Sequence, residues 1–450
     1  MNNGLFGTSG IRGVINERIT PKLAIDLAKS LKKEFVNSGE FLIGRDTRLS
    51  GEMLESSLTA GLLSTGFEVK KIGIVPTPVL GFSVSQLNAA GGIMITASHN
   101  PPEYNGLKIF DSEGMAISPD REKRIEEIYR KKEFTSSPWN KIGKVREIKI
   151  LKDYLTQISR KISVDKRYKV VIDCANGPAS KTTPHLLERI GCETLTINSN
   201  LDGTFPGRRP EPTAENLQDL SKFVKATDAD LGLAHDGDGD RIAAVDDRGR
   251  FINQDKLLAL IGSYSVKRFG KGIVTTVDAS RIVDEQITEA GGKIERTKVG
   301  DVSVAQEMNS KNLKFGGEPS GTWIIGDIHM CPDGTLAAAR IIEMLNDKDK
   351  KISQLVDSMP SYSTLRAKIA CPDEKKTEKM NSVKEKALSY FEEVEEMLTI
   401  DGIRLELRTR GWILIRPSGT EPYIRITAEA HNESRAKNLL NTGRQLLQED

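Results

Sequence analysis

The sequence predicts an α/β protein: three similar α/β/α domains with mixed, largely parallel sheets, followed by a C-terminal α+β domain. Three observations predict it. One rhythm of strand, polar loop, helix, glycine and strand occurs in FLIGRDTRLSGEMLESSLTAGLLSTGFEVKKIGI, in YKVVIDCANGPASKTTPHLLERIGCETLTIN and in KGIVTTVDASRIVDEQITEAGGKIERTKVG. Strands alternating with helices of this length make βαβ units and parallel sheets. In each copy the first strand ends at an aspartate (Asp46, Asp173, Asp278) and the helix stops at a glycine (Gly66, Gly191, Gly291), the residue best able to turn left-handed past a helix end. Near the C-terminus the character changes. IRLELRTRGWILIRPSGTEPYIRITAEA reads as two alternating strands around a turn, and ESRAKNLLNTGRQLLQ as a terminal helix.

The unit recurs at about 100 residues, the size of a small domain. Linkers fall where the rhythm breaks: TSSPWNKIG, the stretch DDRGRFINQDKL with a tight hairpin at Asp247, Arg248 and Gly249 before a helix near Asn253, and DSMPSYSTLRAKIACPDEKK. The expected domains are therefore 1–145, 146–250, 251–365 and 366–450.

Bulk properties exclude several classes. The 450 residues carry a net charge of +2 and only three tryptophans. A nucleic-acid reader would show a basic face, and no long basic run exists. Cys174, Cys192, Cys331 and Cys371 form no CxxC pair, so they read as thiols of a reducing compartment rather than a disulfide framework or zinc site. No signal-peptide pattern and no run of 18 apolar residues occurs, so the expected location is the cytoplasm, with no membrane partner. No obligate protein partner is inferred.

HDGDGDR holds the strongest chemical signal. Asp236, Asp238 and Asp240 alternate with Gly237 and Gly239 after the apolar ADLGLA. Neighbouring carboxylates raise one another's pKa, and a divalent cation removes that cost. The glycines let the backbone curl so that the three side chains converge. All-oxygen ligands favour magnesium or manganese over zinc. An EF-hand is excluded, because Arg241 stands where the loop needs glycine and Asp247 where it needs glutamate.

GGIMITASHNPPEYNGLKIF runs an apolar strand into Ala97-Ser98-His99-Asn100. Pro101 biases Asn100 away from helical geometry and stiffens the turn. Ser98 sits on its tip, and His99 or Lys108 is placed to move a proton. No GxSxG elbow occurs, so a hydrolase triad is not specified. A hydroxyl, cations and a metal site are the inventory of phosphoryl transfer.

In IRPSGTEPYIR, Arg416 offers a guanidinium fork, Ser418 and Thr420 offer hydroxyls, Gly419 offers a bare N–H, and Arg425 follows one strand later. Such a set can encircle a phosphate dianion. No Walker A loop is present. GGEPSGTWIIGD places Glu318 and Ser320 among glycines, suited to gripping sugar hydroxyls, and Lys298 and Asp301 in RTKVGD end a strand of the same domain.

Together FGTSGIRG, TASHNP, DGDGDR, GEPSG and RPSGTEP resemble the α-D-phosphohexomutase family, in its order and over nearly the whole chain. The resemblance implies four domains around a central cleft, with a C-terminal domain of the TATA-binding-like type. It implies that Ser98 carries a phosphoryl group. Asp236, Asp238 and Asp240 would bind one Mg2+ per chain, with the serine phosphate as a further ligand. Arg241, Arg12, His99, Asn100 and Lys108 would surround the catalytic centre, Lys108 being favoured for proton transfer. Glu318 and Ser320 would read sugar hydroxyls, and Arg416, Ser418, Gly419, Thr420 and Arg425 would hold the remote phosphate. The implied partner is a small-molecule hexose phosphate, converted through a 1,6-bisphosphate of glucose or glucosamine that is both intermediate and activator.

Thr322 and Trp323 follow GEPSG, where many bacterial phosphomannomutase/phosphoglucomutase members have histidine, and Asp301 also replaces a histidine. The FGTSGIRG opening and VGD look more like the phosphoglucosamine mutase branch, so glucosamine phosphate is the expected substrate, with mannose and glucose phosphates as the alternative. A metal-dependent sugar-phosphate phosphatase, a kinase-like transferase or a non-catalytic sugar-phosphate binder are the readings outside mutase chemistry.

Overall fold

In a computed structural model, residues 4–7, 10–35, 39–419 and 422–448 are described. They form two compact units, one of Ser9–Gln254 with Ser320–Val356, the other of Met1–Thr8, Asp255–Pro319 and Asp357–Asp450. No helix among the described residues is long and apolar enough to cross a membrane.

The first unit holds two sheets. One contains β1 (Ile11–Val14), β2 (Glu40–Arg45), β3 (Glu68–Ile74), β4 (Gly91–Ile95), β5 (Tyr104–Phe110) and β6 (Val145–Glu147), in the order β1-β5-β4-β2-β3-β6. β2 runs parallel to β3 and β4, whereas β5 is antiparallel to β4. β4 is buried along its whole length, as expected of a strand covered on both faces. The second sheet contains β7 (Lys169–Asp173), β8 (Glu193–Ile197), β9 (Leu231–His235) and β10 (Ile242–Asp246), in the order β10-β9-β7-β8. β7 is parallel to β8 and β9, and β10 is antiparallel to β9. Strand for strand this is the arrangement β5-β4-β2-β3.

The other unit repeats the parallel core. β11 (Gly272–Thr276) lies parallel to both β12 (Lys293–Thr297) and β13 (Phe315–Gly317), as β2 lies between β3 and β4. β14 (Trp323–Ile325) comes next in the chain. The three coarse sequence echoes are thus three copies of one topology. Gly66, Gly191 and Gly291 all have positive φ (85°, 95° and 79°), the conformation that ends each helix.

A buried arginine secures the turn after the first strand of each copy. Arg48 pairs with Asp46 (Nε to Oδ2, 3.1 Å). Arg208 donates from Nε to Asp173 Oδ2 at 2.8 Å and from Nη2 to the His235 carbonyl at 2.6 Å. Arg404 donates to the carbonyls of Val277 at 2.5 Å and Ala279 at 2.8 Å, with its guanidinium 3.9 Å from the Trp412 ring centre.

The C-terminal domain is richer than the alternation suggested. β15 (Ser363–Ala370), β16 (Val394–Leu398), β17 (Ile403–Leu407), β18 (Gly411–Pro417) and β19 (Tyr423–Ala430) form an antiparallel sheet in the order β15-β19-β18-β17-β16. Val383 and Ala387 of the helix Asp373–Tyr390 share a core with Leu439, Leu440, Leu446 and Leu447 of the helix Glu433–Gln448, against Ile413, Ile415, Ile424 and Ile426.

Three expectations need correcting. The supposed linker DSMPSYSTLRAKIACPDEKK contains β15, so a boundary at 365/366 falls inside a strand; STLRAKIA is half exposed, and its alternation is too polar to read as a strand alone. Likewise 145/146 falls inside β6, which pairs with β3 and extends the first sheet. Asp301 does not end a strand: β12 stops at Thr297, and Asp301 opens the helix Asp301–Lys311 after Gly300 at φ 131°.

Asp173 and the Arg208 side chain are almost wholly buried. Removing one partner of such a pair leaves an uncompensated charge, which costs about 3–5 kcal/mol. Arg208→Ala should therefore lower the melting transition clearly, a shift that calorimetry would read directly.

Candidate active site

The candidate residues sit on equivalent connections of the three repeats. The β4–β5 connection carries Ser98, the β9–β10 connection carries Asp236, Asp238 and Asp240, and the β13–β14 connection carries Glu318 and Ser320.

Ser98 is buried and adopts φ 49°. Left-handed geometry costs a non-glycine residue roughly 1–2 kcal/mol, so the loop around it must be held. Arg48 holds it. Its Nη2 donates to the carbonyls of Ser98 at 2.9 Å and Asn100 at 2.6 Å, and its Nη1 to those of Pro101 at 2.5 Å and Tyr104 at 2.9 Å. Asp46 fixes the guanidinium and also accepts from Thr96 Oγ1 at 2.7 Å. Thr96 Oγ1 accepts the Ser98 N–H at 2.8 Å. Burial pushes Asp46 up to about 6, outweighing the opposing charge of Arg48. Rigidity of this turn thus comes from Arg48 more than from Pro101.

The held serine meets the acidic loop. Ser98 Oγ donates to Asp236 Oδ2 at 2.6 Å. Asp236 Oδ1 accepts the N–H groups of Gly239 at 3.0 Å and Arg241 at 3.3 Å. Thr77 ties the loop down from another side, with Oγ1 2.5 Å from Asp238 Oδ2 and its N–H 2.9 Å from the Asp238 carbonyl. Lys108 is buried on β5, its Nζ 3.9 Å from Asp240 Oδ2. Gly239 has φ 75°, as the curl of the loop requires, but Gly237 serves differently. A Cβ on Gly237 would lie 2.5 Å from the Ser98 carbonyl oxygen, so the glycine lets the two loops touch.

Asp236, Asp238 and Asp240 are buried and offer oxygens within 4.8 Å of one another; among the described residues they are the one His/Cys/Asp/Glu cluster able to hold a metal. Burial, with the charge of Asp236 added, pushes Asp238 up to about 7. Burial and the charges of Asp238 and Asp236 push Asp240 up strongly as well. Oδ1 of Asp238 and Oδ1 of Asp240 are buried and lack a hydrogen-bond partner among the described residues. Unpartnered buried carboxylate oxygens are costly, and an all-oxygen donor set of this kind fits a hard divalent cation.

The remaining catalytic candidates gather here too. Arg12 on β1 reaches Asn100 Oδ1 at 3.3 Å and the Ala97 carbonyl at 3.5 Å. His99 Nδ1 lies 3.4 Å from Ser98 Oγ. Burial, then Arg241, Arg12 and Arg48, hold His99 well below the usual histidine range. Arg241 bridges to Thr322 through backbone hydrogen bonding, and Ser320 Oγ lies 2.9 Å from Thr322 Oγ1. Gly321 at φ 84° leaves no space for a Cβ, which would meet the Ile242 carbonyl at 2.2 Å.

In the other unit, Glu318 Oε1 accepts the Gly300 N–H at 2.8 Å, Lys298 is exposed and Asp301 is buried. Arg416 on β18 stands directly opposite Arg425 on β19. Like charges in that register repel, which marks the place for an anion. The clamp loop is anchored by Ser418, whose N–H meets the Tyr423 carbonyl at 3.0 Å and whose carbonyl accepts from Lys376 Nζ at 2.6 Å. A Cβ on Gly419 would meet nothing within 4 Å, so the space beside it is open. Thr420 lies outside the described residues. Sequence reasoning missed Arg48, Thr77 and Lys376, although Arg48 follows the flagged Asp46 in GRDTR.

A repeated α/β unit whose corresponding connections bring a buried hydroxyl against three buried carboxylates defines the phosphohexomutase class. Models of the phosphoglucomutase/phosphomannomutase family match the chain throughout: alpha/beta/alpha domain I over residues 3–136, domain II over 152–249, domain III over 253–362 and the C-terminal domain over 367–442. The chain belongs to this family. It is 46% identical to the phosphoglucosamine mutase of Methanocaldococcus jannaschii, with 99% of this chain and 98% of that one covered. It is equally 46% identical to the probable phosphoglucosamine mutase of Methanothermobacter thermautotrophicus, over 96% and 95% of the two chains. Among solved structures, the phosphoglucomutase/phosphomannomutase family protein of Burkholderia thailandensis superposes with a TM-score of 0.89 at 29% identity, covering 98% of this chain and 96% of that one.

Gly237→Ala should separate the two loops and lower turnover on the order of 100-fold while leaving the fold intact; kcat with a circular-dichroism control checks it. The carboxylates give a pH test. A carboxylate raised to about 7 in the fold, as Asp238 is, contributes stability below its unfolded pKa and loses it as pH rises through 7. A divalent cation binds the ionised form. The gain in melting temperature on adding Mg2+ should therefore be larger at pH 8 than at pH 6, and Asp238→Ala should abolish the difference.

Proposed function

We propose that this chain interconverts glucosamine 6-phosphate and glucosamine 1-phosphate by a phosphoryl relay through Ser98. The observation that carries the reading is the 2.6 Å contact of the buried Ser98 hydroxyl with Asp236, inside the one carboxylate cluster among the described residues able to hold a metal. Its relatives' names, phosphoglucosamine mutase, support the substrate.

In the forward half, the bond from phosphorus to Ser98 Oγ breaks as a sugar hydroxyl oxygen bonds to phosphorus. The hydroxyl proton passes, by way of a base for which Lys108, buried beside Asp240, is the candidate, to the departing Ser98 Oγ. Ser98 is left as a free hydroxyl and the sugar as a 1,6-bisphosphate. In the return half, the bisphosphate presents its other phosphate, Ser98 Oγ bonds to that phosphorus as the O–P bond to the sugar breaks, and the Ser98 proton passes back by way of the same base to the sugar oxygen. The net change is the position of one phosphate.

Asp236, Asp238 and Asp240 would hold the Mg2+, which supplies charge neutralisation for the transferring phosphoryl group. Arg241 and Arg12 add positive charge near Ser98, and burial, with the cations around His99 added, keeps its imidazole neutral, a hydrogen-bonding neighbour rather than a competing charge. Glu318 and Ser320, with Lys298 and Asp301, would read the sugar. Arg416, Ser418, Gly419, Thr420 and Arg425 would hold the non-reacting phosphate, whichever it is. Four domains, the first ending beyond β6 and the last beginning before β15, a cytoplasmic setting and no obligate protein partner complete the proposal.

Label transfer tests it. Protein incubated with hexose phosphate bearing labelled phosphorus should gain label at Ser98, seen by intact mass and peptide mapping, and Ser98→Ala should lose both label and turnover. Comparing kcat/KM for the 1-phosphates of glucosamine, glucose and mannose, with Mg2+ and a trace of bisphosphate, tests the substrate; preference for glucose or mannose would overturn glucosamine and leave the relay standing.

A further inference from the structure

Asp401 lies in the turn between β16 and β17 and is no part of the clamp motif. Its Oδ2 meets two partners at once: Arg416 Nη2 at 3.0 Å and the backbone N–H of Val299 at 3.3 Å. The next N–H along, that of Gly300, donates to Glu318 Oε1 at 2.8 Å. Val299 also packs against Trp412 and Leu414 of β18, the strand that bears Arg416. The turn has no slack, since a Cβ on Gly402 (φ 84°) would lie 2.3 Å from the Ile415 carbonyl oxygen and 2.7 Å from Arg416 Cα. One carboxylate oxygen therefore joins the clamp arginine to the loop that holds the sugar-reading glutamate.

We propose that Asp401 is a positioning residue that couples anion binding at Arg416 to the placement of Glu318. The inference rests on the reading of Arg416, Ser418 and Gly419 as the phosphate clamp. Arg416 and Arg425 stand opposite each other, and Asp401 supplies a counter-charge. It does not satisfy the whole fork, because Arg416 Nε is buried without a partner among the described residues. An incoming phosphate engages the guanidinium and weakens its hold on Asp401. The shared oxygen then serves the Val299 N–H alone, a stronger bond because a carboxylate oxygen concentrates its charge on one donor. That draws on residues 299–300, and through the Gly300 N–H on Glu318. A phosphate in the clamp thereby sets the residue that reads the sugar.

This role has a signature that loss of packing would not give. Removing Asp401 takes a competing anion away from Arg416, so free phosphate binds more tightly. It also disconnects Glu318, so sugar phosphate is used less well. The two constants move in opposite directions.

The experiment measures the competitive inhibition constant of inorganic phosphate and the kcat/KM of the hexose phosphate that the wild-type enzyme uses best, in wild type, Asp401→Ala, Asp401→Asn and Arg416→Ala. Asp401→Ala should lower the phosphate inhibition constant about threefold and lower kcat/KM about tenfold, mainly through KM. Asp401→Asn keeps an oxygen for the Val299 N–H, so it should recover most of kcat/KM and retain the tighter phosphate binding. If both constants worsen together, or if Asp401→Asn leaves phosphate inhibition unchanged, the coupling role is wrong. Should the alanine variant fail to fold, the asparagine variant alone decides. Arg416→Ala separates the two levels: phosphate inhibition unaffected there would sink the clamp itself, whereas weakened inhibition there with no effect at Asp401 would sink only this inference.

Discussion

The site depends on one buried guanidinium. Arg48 donates to the carbonyls of Ser98, Asn100, Pro101 and Tyr104, and Asp46 holds it in place. Hydrogen bonds to a charged group contribute roughly 1.5–3 kcal/mol each, and several of them outweigh the roughly 1–2 kcal/mol that a left-handed serine costs. The strained Ser98 is thus the relaxed state of a larger arrangement. With that turn fixed, Gly237 can lie against the Ser98 carbonyl, and the hydroxyl reaches Asp236. Loosen Arg48 and neither contact has a reason to persist.

The repeat explains why so few residues suffice. In each copy the connection after the third strand, β4, β9 or β13, leaves the same edge of a parallel core. A parallel core presents the carboxyl ends of its strands together, which is where α/β folds place their ligands. In the proposed relay, one copy would contribute the nucleophile, the second the cation site and the third a polar loop for the sugar. Specialisation of a single connection needed no change in the sheets beneath it. The arginine beside each first-strand turn, Arg48, Arg208 or Arg404, belongs to that shared framework.

Much of this was legible in the residues. Asp46, Asp173 and Asp278 marked equivalent strand ends, and the glycines after each helix marked its stop. DGDGDR pointed to a cation site because three closely spaced carboxylates have few other uses, and the fold does bring their oxygens within 4.8 Å of one another. What stayed hidden depends on distance along the chain. Arg48 binds carbonyls about fifty residues away, and Thr77 binds Asp238 from more than 150 residues away; no local pattern encodes either. Gly237 read, with Gly239, as a residue that lets the acidic loop curl, yet its φ is not positive and its role is to leave space. β15 was lost because its outward face is polar, and a half-exposed edge strand reads like a linker. The link from Asp401 to Val299 and Arg416 lies in a turn whose sequence, TIDGI, signals only a turn.

The account stands or falls on whether a phosphoryl group on Ser98 lies beside the cation held by the three aspartates. The direct measurement is the phosphorus NMR line of the phosphorylated protein with Mn2+ in place of Mg2+. A paramagnetic ion at the triplet should broaden the phosphoserine line beyond detection, and Asp238→Ala should restore it. A sharp phosphoserine line in the Mn2+-loaded wild type would place metal and phosphate apart and contradict the account.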